Sequence, residues 1–371
     1  MKVPFLNLAE ITALNGAEIE AAARRVIKSG RYLQGEEVAR FEAEYADFIG
    51  APFCVSCGNG LDALYLIFRA LIERQKLQAG DEVLVPANTF IATILAISEN
   101  NLTPVLIEPN PETLEIDDTK IEEKITEKTR ALMIVHLYGR NAMTAKIAAL
   151  CQKYDLILLE DNAQAQGCAF ENQKTGALGL AAAHSFYPGK NLGALADAGA
   201  VTTNDSELAE TLRALANYGS RQKYVFDFIG RNSRLDELNA AILRVKLRHL
   251  NAHNAWRQKI GEFYFSHIQN PQIRLPRETA AGENVFHLFP VFCERRDALQ
   301  NYLKTHGIET LIHYPIPPHL QKCYAHFAGW QNLHLPITEK LHEEELSLPI
   351  SPALPLAAAE YVVQKVNDFP R

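Results

Sequence analysis

Short apolar runs alternate with stretches of helical periodicity through the first half of the chain, and that alternation predicts the fold. Residues 17–30 and 36–49 carry apolar side chains at helical spacing among charged ones, split at Gly30 and Gly35. Phe53–Cys57 predicts a short strand and Leu61–Arg74 a helix, with Gly58–Asn59–Gly60 as the turn between them. Asp81–Glu82 leads into an apolar strand at Val83–Val85. Thr89–Glu99 then predicts a helix, Pro104–Ile107 and Ala131–His136 strands, Thr144–Tyr154 a helix, and Leu156–Leu159 another buried strand ending at Glu160–Asp161. Apolar strands alternating with helices imply a parallel sheet covered on both faces, with ligands beyond the carboxyl ends of its strands. From about residue 233 a long helical pattern begins, Leu235 to Leu250; beyond it come scattered prolines and shorter elements. The expected fold is α/β: a large domain over 1–245 with a mostly parallel sheet, and a smaller C-terminal α/β domain over 246–371.

Composition narrows the function. The 371 residues are 47% hydrophobic and 22% charged, ordinary globular usage, and the net charge is -7. No basic run or aromatic-interleaved patch argues for nucleic acid. The N-terminal apolar run is too short for a signal peptide, and no stretch reaches membrane-spanning length without charges, so a cytoplasmic protein is expected. Of six cysteines, Cys54 and Cys57 stand at redox or zinc spacing, but no second pair does. Reduced thiols are expected, and no metal site: His249 and His253 have no third ligand at recognised spacing, and His342 is read as solvated or packing.

The chemistry gathers around Lys190. It follows the break at Pro188–Gly189 and stands in a Gly-rich, almost uncharged run, where poor hydration lowers an amine's pKa and makes it nucleophilic, as a Schiff-base lysine requires. A surface turn with one lysine is the alternative. Asp161 ends the strand 156–159; a carboxylate there needs a cation or a strong donor, and a protonated pyridine nitrogen is one such partner. A structural aspartate capping the next turn remains open. Gln164, three residues on, reaches the same pocket. Gly60 and Leu61 open a helix after a strand, where free N–H groups bind phosphate. The run Gly58–Asn59–Gly60–Leu61–Asp62–Ala63 also fits a dinucleotide fingerprint, but Pro86–Ala87–Asn88 follows the next strand where an acidic residue is needed. Phe90 is placed to stack on a flat ring, Ser185 to hold a phosphate oxygen, and Asn232 with Arg234 stands in a polar loop before the long helix. Core packing for Phe90 and a helix cap for Asn232 are the plainer readings. His313–Tyr314–Pro315 joins a titratable ring and a phenol to a rigid turn, after a strand-like Thr310–Ile312.

Several motifs in order make the chain resemble the DegT/DnrJ/EryC1/StrS family of pyridoxal-phosphate (PLP)-dependent nucleotide-sugar aminotransferases. They include Pro4–Phe5–Leu6–Asn7–Leu8, Ser29–Gly30–Arg31–Tyr32–Leu33, Pro86–Ala87–Asn88–Thr89–Phe90 and His136–Leu137–Tyr138–Gly139. Glu160–Asp161–Asn162–Ala163–Gln164–Ala165, Ser185 through Gly193, Arg234–Leu235–Asp236 and His313–Tyr314–Pro315 continue the series. The resemblance implies the fold-type I aminotransferase architecture and a homodimer with shared active sites. It implies that Lys190 binds the cofactor, Asp161 meets its pyridine nitrogen, Gln164 lies near its ring hydroxyl and Phe90 stacks on the ring. Ser185 and the Gly60–Leu61 backbone would hold the phosphate, with Asn232 reaching in from the partner subunit and Tyr187, His313 and Tyr314 near the sugar. The chain departs from the family where Leu61 stands for a frequent Thr, Gln166 for His, and Arg140 for Gln. Asn217–Tyr218–Gly219–Ser220, Lys223–Tyr224 and the Gly58–Leu64 turn look most like the branch that aminates C3 of dTDP-3-keto-6-deoxyhexoses, with L-glutamate as donor; the C4-aminating branch is the alternative.

Overall fold

The computed structural model describes residues 1–370. The N-terminal part carries helices α1 (Leu8–Ala13), α2 (Gly16–Ser29) and α3 (Glu36–Ile49). The alternating segment follows: β1 (Phe53–Cys57), α4 (Gly60–Glu73), β2 (Glu82–Pro86), α5 (Ile91–Glu99), β3 (Thr103–Ile107), β4 (Thr129–Val135), α6 (Ala145–Tyr154) and β5 (Ile157–Asp161). A small β6 (Ala169–Phe170) and β7 (Gln173–Lys174) precede β8 (Ala181–Ser185), β9 (Gly199–Thr203) and α7 (Ser206–Ala216). A hairpin, β10 (Ser220–Gln222) and β11 (Val225–Phe226), leads to α8 (Glu237–His267). The C-terminal part holds β12 (Phe289–Phe292), α9 (Arg296–Thr305), α10 (Pro336–Glu344), β13 (Glu345–Leu348) and α11 (Leu356–Asn367).

The central sheet has the order β1-β9-β8-β5-β4-β2-β3. Six strands run parallel; β9 alone is antiparallel to its neighbours β8 and β1. Side chains alternate through it as strand geometry demands. Val83, Val85, Ala131 and Met133 enter the core beneath α4, α5 and α7, while Leu84, Leu132 and Ile134 enter the opposite core with Ile147 and Leu150 of α6. Burial on both faces leaves polar groups their place at the strand ends. The carboxyl ends of β1, β2, β4, β5 and β8 form one edge, from which Gly60, Phe90, His136, Asp161 and Ser185 issue.

Two expectations need correction. The long helix starts at Glu237 and runs to His267, well past Leu250, and passes unbroken through 245–246. Its first half packs with Leu235 and Phe41, and its second half, from Ile260, with the C-terminal core. Thr310–Ile312 forms no strand; Leu311 makes a single bridge to Ser347. Of the two readings left open for His342, solvated or packing, the second holds: it lies near the end of α10 and is buried, its Nδ1 at 2.6 Å from the Tyr314 carbonyl. The six cysteines are free thiols, Cys54 and Cys57 buried on β1. Among the described residues no cluster of ligands suits a metal ion, and no helix is long and apolar enough to cross a membrane.

Candidate active site

A cavity of about 1200 Å³ opens at the carboxyl edge of the sheet. Gly60, Leu61, Phe90, Asp161, Gln164, Ser185, Tyr187, Lys190, His313 and Tyr314 all line it. Asn232 is the exception: it is exposed, its backbone bridges Asn217, and it does not line this cavity.

One end is built for an anion. Asn59 caps α4, its side chain accepting from the Asp62 N–H at 2.8 Å. The N–H groups of Gly60 and Leu61 lie outside the helical ladder, as first-turn donors do, at the positive end of the helix dipole. Ser185 closes this cradle. A Cβ on Gly60 would stand 2.6 Å from the Ser185 Cβ, so only glycine lets the turn lie against the hydroxyl. Gly199 has the same necessity, since its Cβ would meet the Asn59 carbonyl oxygen at 2.4 Å.

At the other end Asp161 closes β5, 6% exposed. Its bonded partners are neutral: the Thr93 hydroxyl at 2.8 Å and the Ala163 N–H at 3.1 Å. Burial pushes its carboxyl above the ordinary range; these donors and the more distant Lys190 offset that only in part. Lys190 shows the converse. Burial drives its amine down to about 8, against the pull of Asp161. Each is held in an environment that disfavours its charged form. A cationic ring nitrogen beside Asp161 would supply what the carboxylate lacks, so the residues present fit a pyridine-based cofactor whose phosphate enters the α4 cradle.

The remaining walls are aromatic and polar. The Phe90 ring is 46% exposed and lies 4.9 Å from that of Tyr314. Gln164 donates to the Tyr314 hydroxyl at 3.0 Å and accepts from the Tyr138 N–H at 2.6 Å, which fixes its amide. Sequence reasoning missed three contributors: Thr93, which holds Asp161, and the cavity residues His136 and His287. His136 is fully buried, its Nε2 2.9 Å from Glu160, and its Nδ1 accepts from the Ala142 N–H. His287 rests against Asn191 at 3.2 Å, and burial holds its ring neutral. A lone histidine within Phe286–Phe289 was the signal for it. Two departures noted in the sequence turn inward and are absent from the lining: Arg140 is buried and donates to the Arg277 carbonyl, and Gln166 donates to the Ser185 carbonyl at 2.8 Å.

The profile of the DegT/DnrJ/EryC1/StrS aminotransferase family matches residues 14–367. The chain is 51% identical, over 99% of both chains, to a dTDP-3-amino-3,6-dideoxy-alpha-D-galactopyranose transaminase of Aneurinibacillus thermoaerophilus. It is 44% identical to a dTDP-3-amino-3,4,6-trideoxy-alpha-D-glucose transaminase of Streptomyces venezuelae, over 99% of this chain and 96% of that one. The crystal structure of S. venezuelae DesV in complex with a ketimine intermediate superposes with a TM-score of 0.95 at 44% identity, covering 99% and 98% of the two chains. A Bacillus subtilis NtdA structure with bound cofactor PMP gives 0.91 at 29% identity, covering 99% of this chain and 85% of that one.

The Lys190 shift has a consequence for the cofactor-free protein. Below pH 8 the amine is charged both folded and unfolded, and the penalty for burying that charge is fully present. Between about 8 and 10.5 the folded chain has released the proton and the unfolded chain has not, so stability rises with pH. The rise is at most about 3 kcal/mol, since one pKa unit is worth about 1.4 kcal/mol. Lys190→Met is expected to unfold at higher denaturant than wild type at pH 7, with the gap closing near pH 10.5. A gap independent of pH would show that the amine is not held charged in a dry site.

Proposed function

The chain belongs to the DegT/DnrJ/EryC1/StrS aminotransferase family, and from this we propose that it moves an amino group from L-glutamate to C3 of a dTDP-3-keto-6-deoxyhexose. The product is a dTDP-3-amino-3,6-dideoxyhexose. The observation that carries the choice of substrate is the 51% identity, over 99% of both chains, to the Aneurinibacillus transaminase of that sugar class. The enzyme depends on pyridoxal phosphate, the cofactor class of this family.

Bound in the cavity, the cofactor supplies a carbon that accepts the amino group and a ring that withdraws electrons. The residues divide the remaining work. The Gly60 and Leu61 N–H groups with Ser185 take the phosphate. Asp161, held by Thr93, would keep a proton on the ring nitrogen. Phe90 would stack on the ring, and Gln164 would meet its hydroxyl. The Nζ of Lys190 is the group that binds the cofactor between turnovers. Freed by the donor, it takes the proton from the donor's α-carbon, for which its lowered pKa suits it. Tyr187, His313 and Tyr314 orient the sugar.

We assign Asn232 to the partner subunit's site in a homodimer. Two observations support this. The loop that carries Asn232 follows an exposed apolar hairpin with Tyr224, Val225 and Phe226, and Ile229 is 86% exposed. The cavity of one chain, moreover, presents the ammonium groups of Lys190 and Lys304 and no guanidinium among its described lining residues. A dicarboxylic donor and a sugar diphosphate call for more cations than that, and the loop that carries the neutral Asn232 also carries Arg234.

Two measurements test the reading. Incubation with glutamate and PLP, with C3-keto and C4-keto dTDP-6-deoxyhexoses in turn and products located by NMR, is expected to place the amine at C3. An amine at C4 alone would replace the substrate with that of the alternative branch. Mixing Lys190→Ala subunits with Asn232→Trp subunits, each inactive alone, is expected to restore activity, since one site of the mixed dimer then holds neither lesion. No recovery on mixing would confine each site to one chain.

A further inference from the structure

β13 places Glu345 and Ser347 two residues apart, on one face of its two-stranded sheet, while Leu346 and Leu348 enter the C-terminal core from the other. Both polar residues are buried, at 1% and 0% exposure. His313 lies over that face. Its peptide N–H donates to Glu345 Oε2 at 2.5 Å, and its ring Nδ1 is 2.9 Å from Ser347 Oγ. Ser347 Oγ is in turn 2.5 Å from Glu345 Oε1. The backbone keeps the register: the Ser347 N–H donates to the Leu311 carbonyl at 2.8 Å. The histidine lines the cavity, so the chain Glu345–Ser347–His313 runs from the buried sheet to the site.

No cation is bonded to this carboxyl. Arg296 of α9 faces it, but its guanidinium is engaged by Asp297 and the His342 carbonyl. The other titratable groups around it are Tyr138, whose hydroxyl donates to the His313 carbonyl, Tyr314 and His313 itself. Anchoring the His313 N–H does not require a charge, since a neutral amide would accept the same bond at less cost to bury; a buried carboxyl with no cation bonded to it, joined through one hydroxyl to a cavity histidine, is more than a loop anchor needs.

We propose that Glu345 is the proton store of His313, filled and emptied through Ser347. A proton arriving at His313 Nε2 from the cavity is matched by transfer of the Nδ1 proton to Ser347 Oγ, as the Ser347 hydroxyl proton passes to Glu345 Oε1. One proton enters, one is stored, and no electron moves. With Glu345 ionised, Ser347 donates to Oε1 and accepts from Nδ1–H, leaving the Nε2 lone pair in the cavity. With Glu345 protonated, Oε1–H donates to Ser347, Ser347 donates to Nδ1, and Nε2–H faces the cavity. The imidazole is neutral in both states. That suits a ring whose pKa burial and Lys190 hold down at about 4, beside a carboxyl that burial pushes up to about 8. His313 then takes or gives a proton at neutral pH without becoming a buried cation. The proton's source, a bound substrate, rests on the proposed function; the exchange between the two states does not.

The test is a pH series of nitrogen NMR spectra on holoenzyme labelled with 15N-histidine, with the His313 signals assigned by their loss in His313→Gln. In the wild type the protonated, pyrrole-type nitrogen of His313 is expected to be Nε2 at pH 6.5 and Nδ1 at pH 9.5. In Glu345→Gln, whose amide donates to Ser347 permanently, it is expected to stay at Nε2 throughout, and in Ser347→Ala the exchange is lost. A wild-type His313 that keeps one tautomer across this range overturns the proposal whatever the variants do. So does an exchange that persists unchanged in folded Glu345→Gln. Neither readout depends on which sugar is aminated.

Discussion

A carboxylate at the end of a strand buried on both faces is the constraint around which this site is arranged. Asp161 is only 6% exposed where it meets the cavity, and its own chain bonds it with a hydroxyl and a peptide N–H rather than a cation. Lys190 is near enough to be felt, yet burial pulls its own charge down as well. Two groups that would pair in water are thus each held toward neutrality by desolvation at the cavity wall. The arrangement costs stability in the empty protein and is relieved by a ligand that brings a proton-bearing nitrogen to Asp161 and an electrophilic carbon to Lys190.

The sheet determines where these groups converge. Side chains of β2 and β4 alternate between two apolar cores, which leaves the strand ends for polar chemistry. β1 delivers a helix N-terminus, β5 delivers Asp161, and β8 delivers Ser185 and then the turn bearing Lys190. The C-terminal part closes the other side of the cavity through the loop of His313 and Tyr314. That loop is tied down on both flanks, by Glu345 and Ser347 of β13 and by His342 of α10.

Much of this is legible in the sequence because bulky apolar strands announce themselves. Phe53–Cys57, Pro104–Ile107 and Leu156–Leu159 stand out by residue type, and the turn residues Gly58–Asn59–Gly60 mark the helix start. β8 and β9 do not stand out, because Ala181–Ala183 and Gly199–Ala200 are small, as close packing against α4 and the Asn59 turn requires. The length of α8 is obscured because its buried face changes partners midway, which blurs a single apolar stripe. Lys190 and Asp161 are legible as chemistry out of place. Thr93, His287 and Glu345 are not, since each acquires its meaning from a residue distant in sequence. Arg140 and Gln166 invite a substrate role as departures from the family pattern, yet Arg140 is spent on the Arg277 carbonyl and Gln166 on the Ser185 carbonyl, and neither side chain lines the cavity.

Thermal unfolding of wild type and Asp161→Asn, each with and without saturating PLP, tests the central claim most directly. Removal of an uncompensated buried charge predicts that the variant melts above wild type when cofactor-free. Loss of the ring-nitrogen partner predicts that it gains less than wild type when the cofactor is added, so that the order of the two melting temperatures narrows or reverses. Equal gains from the cofactor in both proteins, with Asp161→Asn the less stable throughout, would contradict the account and make Asp161 a structural residue.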